Sequence, residues 1–137
     1  MATNGNLQRV LLGCIALLLT SLPAIAHHSV QAEFKINNKT TMTGVITRID
    51  WINPHTYFYL EAKDPNGDVQ KWTGESYPTG FFHRAGITRN MFNIGDTVTV
   101  VMFLAKDGTK NYGWIHTMTL PSGRTITFDN NDQPSNQ

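Results

Sequence analysis

Between Thr41 and Phe128 the sequence falls into short runs rich in β-branched and aromatic residues, each closed by a Pro- or Gly-bearing turn. Such punctuation leaves no room for long helices and commits the chain to short antiparallel strands. Thr41–Trp51 opens the series, with Val45, Thr47, Ile49 and Trp51 on one face by period two. Asn53-Pro54 ends that run, and Thr56–Ala62 is the second strand. Asp64-Pro65-Asn66-Gly67 turns the chain into a third strand, Val69–Glu75, as a hairpin. Thr79–Ala85 reads as a short helix with Thr79 as N-cap and Gly86 at its end, and Thr88–Phe92 as a further helical turn. Gly95-Asp96 leads into Thr97–Leu104, Lys106-Asp107-Gly108-Thr109 turns again, and Tyr112–Leu120 and Arg124–Phe128 form a last hairpin.

Three strands, a helix and then two or three strands predict an all-β fold. The expected form is a small OB-like Greek-key barrel of five to six strands, with one short helix between strands three and four. A two-sheet sandwich is the alternative. In the barrel, Gly44 and Gly113 would occupy strongly bent positions.

The segment before these strands has a different character. Arg9 precedes an apolar run, Val10–Leu19, and Ala24-Ile25-Ala26 has the small-x-small form of a signal-peptidase site. The expected layout is a signal peptide at 1–26, an N-terminal arm at 27–40, the barrel at 41–128 and a disordered tail at 129–137. The apolar run falls short of the roughly 20 residues that span a bilayer, so no stable membrane anchor is expected after cleavage. Leu11-Leu12-Gly13-Cys14 resembles a lipoprotein box but lies too close to Arg9 to follow an apolar core. Cleavage after Ala26 would remove the single cysteine, Cys14, and with it all thiol chemistry. Of the charged residues only Arg9 would leave, so the exported chain balances ten basic against ten acidic residues. That balance excludes an electrostatic case for nucleic acid. The expected location is periplasmic or secreted.

The same cut would expose the pair His27-His28 at a new N-terminus. A free α-amine has a pKa near 8, so a metal displaces its proton far more easily than that of a lysine. The amine and imidazole of His27 can chelate one ion, and a further imidazole completes a three-nitrogen histidine brace suited to Cu(II). His28 offers another mode, through the amine, the intervening amide nitrogen and its own ring. The third ligand proposed is His55, aimed by the stiff Asn53-Pro54 turn. Trp51, Asn53 and Glu75 are candidates for the surrounding shell or pocket. His55 taken alone equally fits a structural turn, and His27-His28 a plain polar start. His116, alternating with Trp114 and Met118, reads as a half-buried strand residue, His83 as solvent-facing, and Met102 and Met118 as packing.

These motifs together resemble a family of small exported bacterial proteins of unknown function. The shared features are His27-His28-Ser29, Trp51-Ile52-Asn53-Pro54-His55, Gly95-Asp96 and Lys106-Asp107-Gly108. Arg84-Ala85-Gly86 also fits, although Ile87 stands where the family more often has tryptophan. The resemblance implies no activity. The function expected from the residues is periplasmic metal binding, with copper as the cofactor and a metal ion, and a periplasmic partner protein, as the candidate partners. The alternative is a non-catalytic module whose aromatics, Trp51, Tyr57, Tyr59 and Trp72, hold a small ligand or a protein. A copper-dependent or accessory oxidoreductase component is the third reading, and the sequence offers it no substrate site.

Overall fold

A computed structural model describes residues 30–128. The signal segment, His27-His28 and the tail from Asp129 lie outside the described residues. In chain order the elements are α1 (Val30–Glu33), β1 (Phe34–Asp50), β2 (Tyr57–Lys63), β3 (Val69–Glu75), α2 (Thr79–Arg84), a 3-10 turn (Arg89–Met91), β4 (Thr97–Ala105), β5 (Tyr112–Thr119) and β6 (Thr125–Thr127). The fold is all-β, with α2 between β3 and β4 as expected.

Antiparallel pairing joins β3-β2-β1-β4-β5-β6, and a parallel contact between β3 and β5 closes the first five strands into a ring. The closure is short. Thr73, Gly74 and Glu75 pair with Tyr112, Gly113 and Trp114, after which the other half of β5 pairs with β6. Glycines make room on both sides of β5, Gly74 of β3 for a β5 side chain and Gly113 for the backbone of β4. A Cβ on Gly74 would lie 2.6 Å from the Ile115 side chain, and one on Gly113 would lie 2.8 Å from the carbonyl oxygen of Phe103. The expected special role of Gly113 is therefore one of close approach.

The strands fill the ring by period two. Phe58 and Leu60 of β2, Val98, Val100 and Met102 of β4, and Ile115 and Met118 of β5 are all buried inside. The two methionines are packing, as expected. Phe81 and Phe82 of α2, with Phe92, Leu120 and Phe128, complete this core. Each fully buried apolar side chain of this size contributes about 1.5–3 kcal/mol.

Two bulges revise the faces that simple alternation predicts. β1 gains an extra residue between Ile46 and Arg48, so the inward set is Gly44 and Ile46 before the bulge and Ile49 and Trp51 after it. Val45, expected to share a face with Ile49, is instead 37% exposed. One inserted residue reverses the face of everything beyond it. β5 does the same at His116, where Val101 pairs with Thr117 but Met102 pairs with Ile115. Trp114 and Met118 consequently lie in different clusters rather than on one face. β1 also starts at Phe34, within the segment read as an arm, and Phe34 pairs with Ala105.

On the outer face, where β3 meets β5, a second cluster forms around Phe34, Ala105 and Trp114. Val30, Tyr77, Phe103 and Tyr112 pack against it. α1 is tied to the same end, because the Lys106 backbone donates to the Glu33 carbonyl at 2.8 Å and its Nζ to the Gln31 carbonyl at 2.6 Å.

Candidate metal-ligand site

The ladder of the β2–β3 hairpin places His55. Tyr57 pairs with Glu75, and the pairing continues past the strand ends, with the Ser76 amide donating to the Thr56 carbonyl and the Thr56 amide to the Tyr77 carbonyl. The chain just before β2 is thus held against the chain just after β3. The Asn53–Pro54 bond is cis. Thr79 does not cap α2 through its side chain; its hydroxyl donates instead to the Asn53 side-chain oxygen at 3.3 Å, tying this loop to the start of the helix.

The result is a contact between the His55 Nδ1 atom and the Glu75 Oε1 atom. The other carboxylate oxygen, Oε2, accepts a hydrogen bond from the Tyr112 hydroxyl. Glu75 is almost fully buried, with 5% of its side chain exposed, whereas His55 keeps 27%. A carboxylate only accepts, so the proton of this contact belongs to Nδ1. In a neutral ring that leaves the lone pair on Nε2. A buried carboxylate needs partners, and here it has two.

Aromatic rings wall the pair. Trp114 meets the His55 ring edge to face at 5.6 Å, and Tyr77 meets Trp114 in the same manner at 4.9 Å. Phe34 approaches Trp114 and Tyr112, at 5.9 Å in each case. Burial drives the Tyr112 hydroxyl far above the usual tyrosine range, and the hydrogen bond and negative charge of Glu75 push it further. Burial also raises Tyr57, with Glu75 next in importance. Glu33, at the end of α1, adds to both shifts, so two carboxylates bear on this region. Beneath it, Thr56 and Ser76 are fully buried, and their hydroxyls have no hydrogen-bond partner among the described residues.

Of the residues singled out from sequence, the structure joins His55 directly to Glu75 and places Asn53 in the same loop. Trp51 lies elsewhere, packed on Phe58, Phe82 and Phe92, with the Arg89 guanidinium 5.4 Å from its ring. His83 is exposed on α2, and His116 faces Phe103 at 5.0 Å. Tyr112, Trp114 and Tyr77 are participants that sequence reasoning did not assign to the site. Among the described residues no three His, Cys, Asp or Glu side chains gather as a metal-binding group, and no helix is long and apolar enough to cross a membrane.

A family model spans residues 16–132, most of the chain. The chain belongs to a family of unknown function, DUF6152. That span takes in His27-His28, the Asn53-Pro54-His55 turn and every described strand. No curated protein and no solved structure matches it.

Proposed function

We propose that this member of the family binds a metal ion in the periplasm, Cu(II) foremost, through His55 Nε2 together with the amine and imidazole of His27 or the ring of His28. The observation that carries the reading is the contact from Glu75 to His55 Nδ1. Metal-binding histidines characteristically donate their second nitrogen to a carboxylate, which fixes the tautomer and turns the remaining lone pair toward the ion. Glu75 would serve that role.

His27 and His28 lie outside the described residues, but chain length supports their participation. Val30 packs on the same cluster as Trp114, the ring that His55 meets. His27 stands three residues before Val30. Three residues of chain span at most about 10 Å, which bounds the distance of His27 from Val30. The negative charge of Glu75 and Glu33 further favours a cation.

The test is native mass spectrometry of the exported protein with and without Cu(II). One copper per chain, bound to a chain beginning at His27, is the expected result. Copper should be lost in His55→Ala and weakened when one extra residue precedes His27. Equal binding by all three forms would defeat the proposal. A co-purifying organic ligand or protein, with no response to copper, would favour the binding-module reading instead.

A further inference from the structure

We infer that the outward face of strands β1, β4, β5 and β6 is an ice-adsorbing surface, a grid of threonines that meets crystalline water. The inference is independent of the metal-binding proposal, because none of its residues belongs to the His55 loop.

The chain holds four threonine-x-threonine triplets, one on each of these neighbouring strands. They are Thr41-Met42-Thr43 on β1, Thr97-Val98-Thr99 on β4, Thr117-Met118-Thr119 on β5 and Thr125-Ile126-Thr127 on β6. The middle residues turn inward, with Val98, Met118 and Ile126 buried in the core and Met42 packed against it. The threonines therefore face outward. Register brings them into line. Thr43 pairs with Thr99, Thr99 with Thr119 and Thr119 with Thr125, so one row of threonines crosses all four strands. In the next row Thr41 and Thr117 flank Val101, and Thr127 pairs with Thr117. Valine there has the shape of threonine with a methyl group in place of the hydroxyl. The bulges of β1 and β5 fall beyond these pairs, so the grid itself is regular.

All the positions of the two rows are neutral, although strands open to solvent commonly carry charge to prevent association. β-branched side chains hold their rotamers, so each methyl and hydroxyl keeps its place. The hydroxyls also pair across strands, Thr43 with Thr99 and Thr119 with Thr125, at 2.9 Å in both cases, and in each pair either oxygen can donate. A surface with reversible hydrogen-bond direction does not select a ligand by its order of donors and acceptors. It suits a lattice whose own protons are disordered, which is the property of ice. The repeats are about 4.8 Å across the strands and about 6.7 Å along them, close to oxygen repeats in one plane of hexagonal ice.

Other occupants fit less well. The grid covers roughly 250 Å² at these spacings, well short of the 800 Å² or so that each partner gives to a stable protein interface. It also has none of the aromatic and arginine anchors on which such interfaces depend, and no ring on which a sugar could stack. Ice needs neither, because an extended crystal face meets every part of a regular grid at once.

The experiment follows ice recrystallisation, and the growth and shape of single ice crystals just below melting, in solutions of the exported protein. The unaltered protein should slow recrystallisation and facet the crystals. Thr43→Lys and Thr125→Lys each put a hydrated ammonium at an exposed end of the complete row and should lose most of that effect. Lys71→Ala, on β3 and outside the grid, should keep it. Circular dichroism in the cold checks that each variant is folded, and if one is not, the other decides. Absence of any effect from the folded unaltered protein overturns the inference, as does full activity in both lysine variants. Retention on insoluble cellulose or chitin without an effect on ice overturns it in favour of a neutral polysaccharide. A dimer in sedimentation that both lysine variants abolish, again without an effect on ice, overturns it in favour of a second copy.

Discussion

The inside of the ring and the cluster beneath α1 are built from similar side chains but to different ends. Inside, Phe58, Leu60, Val100 and Met118 are buried among other apolar residues. Outside, Trp114, packed with Phe34 and Tyr77, lies against a partly exposed imidazole that meets a buried carboxylate. The first region is held by burial alone and has no preferred chemistry. The second accepts the cost of desolvating Glu75 and offsets it with two hydrogen bonds. A polar group retained in such surroundings, one residue from an inward glycine at the ring seam, marks the place where packing has been subordinated to chemistry.

Three substitutions probe that contrast. The largest expected effect is in the interior. Phe58→Ala removes a fully buried ring that touches Trp51, Phe82, Phe92 and Phe128, and should cost about 3–5 kcal/mol in urea denaturation. That loss should be independent of pH across the neutral range; a strong pH dependence would contradict an apolar interior. Next is the seam between the regions. Gly74→Ala puts a methyl group against the fully buried Ile115 and should cost about 1–3 kcal/mol through overpacking. Wild-type stability in this variant would show that β3 and β5 part readily, and that the seam does not hold the outer cluster.

The smallest effect carries the clearest signature. Tyr112 has its hydroxyl pKa raised in the folded protein, by burial and then by Glu75. The native state therefore favours the neutral hydroxyl, while the unfolded chain ionises near the ordinary tyrosine value of about 10. The stabilisation is complete below that pH and falls away above it, as the unfolded state releases its proton. Tyr112→Phe should cost about 0.5–1.5 kcal/mol at pH 8 and flatten part of the alkaline decline. Denaturation curves at pH 8 and above pH 10 test this; identical alkaline slopes in both proteins would remove Tyr112 from the buried network.

Much of the local structure was legible from particular residues. Asp64-Pro65-Asn66-Gly67 determines the β2–β3 turn, with the Asp64 carboxylate accepting from the Asn66 and Asp68 amides and Gly67 at φ +90°. Once that hairpin is set, its register brings Tyr57 to Glu75 and so carries His55 toward the same carboxylate. Gly86, at φ +66°, ends α2 where the sequence placed the helix terminus. Faces were less secure. The bulges at Thr47 and His116 answer to the curvature of a closing ring, and nothing in the alternation of β1 or β5 announces them.

By itself, then, the sequence determined the strands, their turns and the one hairpin that joins His55 to Glu75, because these depend on neighbours within a few residues. Only the tertiary structure decided that Tyr112 and Trp114 would join them. They arrive from β5 through a parallel contact with β3, and α2 and β4 lie between those strands in the chain. Closure of the ring, a long-range pairing rather than a local signal, added the Tyr112 hydroxyl and the Trp114 ring to a histidine–carboxylate contact that the hairpin had already made.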